Sequence, residues 1–354
     1  MRRRTILSGS IATLAMPAIF AGARPARAQS ENQLTVVSWG GAFQDAQSKA
    51  QFEPAAKVLG ITVKQETYSG LAELRVRVKS GAAGWDVVSA GSGTAARAGE
   101  EGLLEKLDYG VIDTAGFLPG TFQPFFIGSD VFSTVIGWNT KTFGENGPQT
   151  WADFWDAKKF PGTRSYRNTV TLEPALMADG VPADKVYEVL STPGGIDRAI
   201  GKMKELRPHV AVWWSSGAQS AQVMKDGAVD MVAAWNGRLD DVRKAGAPVL
   251  YTFNQGIQDT DCYVVPKGTA KRDLAMRFIG EISKPQYQAD LTKYITYGPT
   301  NQRAYALTSI ITPAYAAQLP SSPDNSAKQL LLDDAWYMKF TQKAQEAYQN
   351  MMTG

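Results

Sequence analysis

The chain has 354 residues, with 37 basic and 34 acidic side chains, and five of its arginines fall within the first 27 positions. Without that segment the charge turns slightly negative, which excludes the basic excess of a nucleic-acid binder. A hydrophobic fraction of 44% and a charged fraction of 20% describe an ordinary globular protein, long enough for two domains. Its single cysteine, Cys262, excludes an internal disulfide.

The N-terminus combines Arg2, Arg3 and Arg4 with an apolar stretch from Ile6 to Gly22 and the small-residue pattern Ala26-Arg27-Ala28. That order predicts a secretory signal peptide over 1–28, cleaved after Ala28. The apolar part is shorter than the roughly 20 residues of a spanning helix. Arg3-Arg4-Thr5-Ile6-Leu7 also matches a twin-arginine pattern, so both export routes stay open.

Strands and helices alternate in the mature chain. Leu34–Ser38 reads as a strand ending at Trp39-Gly40-Gly41, and Phe43–Leu59 as a helix. Ile61–Gln65 is a second strand and Leu71–Ser80 a second helix. Asp86–Ser89 is a third strand that closes on Ala90-Gly91-Ser92-Gly93. This alternation predicts a parallel sheet with crossover helices, in which ligands collect beyond the carboxyl ends of the strands. Trp39, Gly40, Gly91 and Ser92 sit at two such ends, and glycine lets a backbone approach a ligand closely.

Val131–Asn139 is a longer β run, followed by a helix over Trp151–Lys159 and a turn at Phe160-Pro161-Gly162. Further helices are predicted near Ala183–Leu190, over Gly195–Leu206 and from Gln219, with strands at Val210–Trp214 and Val229–Ala234. A second β run, Asp261–Pro266, leads into a helix over Lys271–Ile282. Two β runs bracketing a middle α/β block imply one lobe interrupted by another. The expected segmentation is 29–132 with 264–312 for one lobe and 133–263 with 313–354 for the other.

These segments, in this order, resemble the periplasmic substrate-binding proteins of polyamine-type ABC importers. The resemblance rests on Leu34–Gly41, Trp85–Ser89, Ile136–Asn139, Trp151–Trp155, Ala234-Trp235-Asn236-Gly237, Asp261–Pro266, Tyr297–Asn301, Leu319–Asn325 and Asp333–Trp336. It implies an α/β, two-lobe periplasmic-binding-protein fold (type II) with β crossings as the hinge. It also implies a monomer in the periplasm that takes a small-molecule ligand to an ABC permease in the inner membrane, with no cofactor and no catalysis.

Polyamine binders of that family hold their ligand with several carboxylates and aromatic walls. Here only Asp261 stands at a matching place. The second-lobe loop that supplies acids reads Arg164-Ser165-Tyr166-Arg167-Asn168, and Arg238 follows Trp235-Asn236-Gly237. Each like charge costs a dication on the order of 1 kcal/mol or more at partly buried distances. A guanidinium facing a carboxylate suits a zwitterion instead. A branch of the family that binds 4-aminobutyrate resembles this arrangement, and the carry-over falls on Trp235, Arg238 and Asp261. The expected ligand is 4-aminobutyrate or a related ω-amino acid, with a polyamine such as putrescine or spermidine as the alternative.

Each candidate also has a plainer reading. Arg238 either meets ligand or pairs with Asp240 or Asp241 on a solvated helix start. Asp261 either meets ligand or braces the hinge. Trp39 and Trp235 are expected in the cleft, and one of Trp213 and Trp214 with them, since neighbours in a strand face opposite ways. Ser215-Ser216-Gly217 precedes a helix, as an N-cap or as a carboxylate site with Ser215 in it. Tyr297–Thr300 reads as a turn at the cleft rim, and Cys262 as a buried small hydrophobe.

One histidine, His209, excludes a histidine-based metal site and a Ser–His–Asp triad. An enzyme on a bilobal fold, or a ferric-iron carrier with tyrosine ligands, remains a distant alternative. The sequence holds no adjacent tyrosine pair.

Overall fold

The computed structural model describes residues 32–81 and 84–354; the expected signal peptide over 1–28 lies outside them. Strands β1 (Gln33–Ser38), β2 (Thr62–Thr67) and β3 (Val87–Gly91) pair in parallel. Helices α1 (Gly41–Gln47) and α2 (Glu53–Leu59) connect β1 to β2 through one π turn at Ser48–Phe52, and α3 (Leu71–Lys79) connects β2 to β3. β3 runs directly into α4 (Ser92–Glu100), so Gly91-Ser92-Gly93 is a strand-to-helix junction rather than a glycine loop.

The sheet continues through β4 (Phe126–Asn139), β5 (Arg164–Arg167), β6 (Val210–Trp214), β7 (Met231–Trp235) and β8 (Val249–Val264), in the order β2-β1-β3-β8-β4-β7-β5-β6. Its two longest strands, β4 and β8, lie antiparallel at the centre. One core gathers Leu34, Phe52, Val87, Ile127, Tyr263 and Phe278. A second gathers Ile136, Trp151, Phe154, Tyr166, Met231 and Ile257. Both central strands therefore serve both cores. β4 passes from one to the other between Ile127 and Ile136, and β8 passes back between Ile257 and Tyr263. Two cores joined by two long strands make the two-lobe type II architecture.

The expected β run Asp261–Pro266 is only the tail of β8. The residues ahead of it, Asn254-Gln255-Gly256, hide the strand in the sequence. Gln255 adopts φ 58°, and the pairing with β4 slips between Thr134 and Ile136. Such a bulge bends a strand without ending it. β8 already pairs with β3 at Asp261, a few residues ahead of the expected boundary at 263/264.

The second lobe adds α5 (Gly217–Lys225) and α6 (Asn236–Lys244), and it closes with α7 (Asp334–Thr353). Trp336, Ala344, Tyr348 and Met351 seat α7 on the second core. The helix expected over Trp151–Lys159 stops at Trp155, started by a Thr150/Asp153 capping box and ended by the extended Asp156.

Arg164-Ser165-Tyr166-Arg167 is a strand and not a loop. With a side-chain period of two, Arg164 and Arg167 face opposite ways. Arg164 is fully buried and donates to the carbonyl oxygens of Phe154 (3.1 Å), Gly162 (2.6 Å) and Phe160 (2.8 Å). Arg164→Met leaves those acceptors unpaired, so a loss of about 3 kcal/mol is expected. Urea unfolding of the two proteins side by side checks it; an unchanged midpoint refutes the carbonyl-clamp role.

Candidate functional site

A cavity of about 660 Å³ opens between the cores, where strand ends meet helix starts. Trp39 follows β1, Gly91 ends β3 and Ser92 opens α4. Arg167 ends β5, and Trp235 ends β7 just before α6. This is the ligand position general to open α/β sheets.

The run Trp235-Asn236-Gly237-Arg238 is legible atom by atom. The Asn236 side chain is buried; its oxygen accepts from the Ser133 N–H of β4 (2.9 Å), and its nitrogen donates to the Thr296 carbonyl (2.6 Å). That ties the start of α6 to the central strand. Gly237 lies under the Tyr297 ring, where a Cβ would come within 2.5 Å of a ring carbon. The strand end then turns Trp235 into the cavity, and the first turn of α6 brings Arg238 in beside it.

Arg238 does not pair with Asp240. Asp240 is buried and holds Arg243 and Lys244 instead, while it accepts from the Thr296 hydroxyl. Arg238 has no carboxylate within 4.0 Å among the described residues, and its Nε is buried without a partner. The indole nitrogen of Trp235 is likewise unpartnered. Arg167 supplies a second cation: its guanidinium lies 5.0 Å from the Trp235 ring centre and 5.6 Å from that of Trp214.

Negative charge collects on the central strand and on α7. Asp259, Asp261 and Asp334 line the cavity. Asp261 accepts from the Trp39 indole N–H (3.3 Å), and Asp259 from the Ser92 hydroxyl (3.3 Å). Burial pushes the Asp261 carboxyl well above its ordinary range, and the nearby Asp130 and Asp259 carboxylates push it further. Burial also raises Asp259, against the pull of Arg167, and lifts Asp334 to about 7. The cavity is thus polarised: Arg167 and Arg238, neither within 4.0 Å of a carboxylate among the described residues, share its wall with Asp259, Asp261 and Asp334, while Arg167 pulls on Asp259 and Arg238 on Asp241 from further off.

Trp39, Gly91, Ser92, Trp235, Arg238 and Asp261 line this cavity. The structure does not bring Gly40, Trp213, Trp214 or Ser215 to its wall. Gly40, at φ 74°, donates its N–H to the Gln44 side chain and turns the chain behind Trp39. The expectation that one of Trp213 and Trp214 faces the cleft fails because β6 is the outermost strand of the sheet. Trp213 packs on Tyr166, and Trp214 is fully buried with its N–H on the Ala233 carbonyl. Trp214 instead backs the Trp235 ring edge-on at 5.4 Å. Ser215 is exposed; the wall position belongs to Ser216, whose hydroxyl caps α5.

Wall residues that the sequence reading did not assign to the site include Arg167, Asp259, Asp334, Phe132 and Gly217, whereas Tyr297, read as a rim turn, does line the cavity. Gly217 has a steric reason to be glycine. A Cβ there would stand 2.8 Å from the Trp235 ring and 2.9 Å from the Arg238 Nε. Gly217→Ala is expected to displace both side chains and weaken ligand binding about tenfold, with little change in melting temperature. Titration calorimetry and a melting curve check the two halves; unchanged affinity refutes the contact.

Interlobe cavity, strand-end position and opposed charges together define a two-lobed solute-binding protein. Residues 47–320 match the family described as bacterial extracellular solute-binding protein. The chain belongs to that family. It is 38% identical over 312 residues to the gamma-aminobutyric acid-binding protein of Pseudomonas aeruginosa, covering 86% of each chain. Among solved structures it resembles the PBP MotA from A. tumefaciens B6 in complex with glucopine: 44% identity, TM-score 0.84, over 90% of this chain and 99% of that one. It also resembles a GABA receptor, at 35% identity and TM-score 0.81, over 90% of this chain and 97% of that one.

Proposed function

We propose that the chain is the periplasmic substrate-binding component of an ABC importer, and that its ligand is a zwitterionic amine such as 4-aminobutyrate. Arg238 holds the carboxylate and Asp261 the ammonium group. The observation that carries this reading is the pairing itself: a cavity-facing guanidinium without a carboxylate, opposite a cavity-facing carboxylate without a cation. The P. aeruginosa relative and the GABA receptor structure support the same ligand class. Arg167 and Arg238 in the wall, neither within 4.0 Å of a carboxylate among the described residues, oppose a polyamine.

A second reading has its own support. Cavities of about 300–1,000 Å³ hold drug-sized ligands, and 660 Å³ exceeds what a four-carbon amino acid fills. Arg167, with Asp259 and Asp334, forms a second polar constellation along the same cavity. An amino acid carrying a further polar group would use both, and the glucopine complex of the MotA relative fits that view.

In this proposal the lobes, 29–132 with 264–312 and 133–263 with 313–354 apart from the β8 shift noted above, swing about the β4 and β8 crossings. Closure excludes water and strengthens both charged contacts. The closed monomer then docks on an inner-membrane permease. Refolded protein, stripped of any carried ligand, is to be titrated with 4-aminobutyrate, longer ω-amino acids, sugar-substituted amino acids and putrescine. Tight binding of an amino acid with putrescine silent supports the clamp. Tight putrescine binding alone overturns it.

A further inference from the structure

Asp130 does not line the cavity, yet it is buried to 1% exposure directly across the central strand pair from Asp261. The pairing of β4 with β8 slips between Gly128 and Asp130, and this bulge is what sets Asp130, rather than Ser129, opposite Asp261. Directly opposed residues of an antiparallel pair share one face, with Cβ atoms roughly 5 Å apart, and like charges there are destabilising. One Asp130 oxygen accepts from the Ser129 hydroxyl (2.7 Å), and the other is buried with no partner. No lysine or arginine lies within 4.0 Å of either carboxyl among the described residues.

Other charged and titratable groups surround the pair without neutralising it. Asp259, Cys262 and Tyr263 stand on β8, Tyr68 and Tyr297 on neighbouring loops, and Asp334 on α7. Arg238 on α6 acts on Tyr297, and Arg167 on β5 acts on Asp259, so each cation's effect falls beside the pair. Two buried carboxylates this close cannot both ionise cheaply.

We infer that Asp130 and Asp261 share one proton in the empty protein, and that an ammonium ligand displaces it into solvent. Asp130 is then a positioning residue that tunes this site for cationic nitrogen. The ammonium replaces the proton as counter-ion, so the pair gains a positive charge as it loses one. The raised Asp130 and Asp261 carboxyls agree with the geometry. The inference rests on the ligand reading above only for its second half; the shared proton belongs to the empty protein.

The sign follows from linkage. The folded empty protein binds more protons than the unfolded chain from about pH 4 up to the raised midpoint, so its stability falls as pH rises through that window. The ligand reverses this: affinity falls about tenfold per pH unit below the midpoint, because each binding event releases one proton.

The Trp39 indole N–H donates to Asp261 and reports the pair without any ligand. On stripped full-length mature protein, its nitrogen–proton NMR signal is expected to shift with a midpoint well above the ordinary carboxylate range, and that midpoint is expected to move to lower pH in Asp130→Asn, where burial and Asp259 still act on Asp261. A flat Trp39 signal above pH 5, or one that titrates identically in Asp130→Asn, overturns the shared proton whatever the ligand is. Calorimetry with 4-aminobutyrate in phosphate and in Tris at pH 6.5 then counts protons. Release of half a proton or more in wild type and clearly less in Asp130→Asn is the expected result. Binding with no release in wild type overturns the displacement step. Absence of any heat from 4-aminobutyrate refutes the ligand reading, while the NMR arm still decides the proton.

Discussion

Arg238→Ala is expected to weaken 4-aminobutyrate binding by roughly a hundredfold or more, the cost of losing a desolvated charged partner. Nothing among the described residues replaces it. Arg238 makes no ion pair there, and its Nε is buried without a partner. Of the other cations in the wall, Arg167 lies against the Trp214 and Trp235 rings and Arg97 is paired with Glu101. The same substitution removes a like charge that opposes a diamine, so putrescine binding is expected to stay level or to rise. Calorimetry with both ligands reads this reversal, which a loss of fold would not produce. If both affinities fall together, Arg238 supports structure rather than the carboxylate. Arg238→Lys keeps the charge without the fork and is expected to recover only part of the affinity.

The alternation of strands and helices was legible because most β runs end at glycine or a polar turn, and helices such as Gly195–Leu206 carry an apolar stripe. The central strand β8 was legible only at its tail, since Asn254-Gln255-Gly256 reads as a turn and is in fact a bend within a strand. That one miss also hid Asp259 as a strand residue facing the cavity. Arg167 was hidden differently. Once β5 is known to be a strand, period two separates the buried Arg164 from the cavity-facing Arg167, but two arginines in a short run give no β signal. Trp213 and Trp214 misled because a tryptophan pair looks like a binding wall. Their place on the outermost strand depends on sheet order, which is non-local. Trp235 and Arg238 were reached through the resemblance to the 4-aminobutyrate-binding branch, helped by their place just past a predicted strand.

Asp261→Asn separates binding from stability in the sharpest way the site offers. The carboxylate sits at 8% exposure, opposite one buried aspartate and two positions from another, with one indole N–H at 3.3 Å in return. Its raised midpoint means that ionising it near neutral pH costs the folded state. An asparagine keeps the shape, needs no counter-ion and removes that cost. The empty variant is therefore expected to melt higher than wild type at pH 7.5, by about 2 °C or more. Affinity for 4-aminobutyrate moves the other way, by roughly a hundredfold, because the ammonium loses its buried counter-ion. The stability gain should shrink toward pH 5, where the wild-type pair already carries its proton. Such a trade marks a residue retained for its ligand at the expense of the fold. A variant that binds as tightly as wild type would remove Asp261 from the ammonium role. One that binds weakly and also melts lower would make it a hinge brace instead.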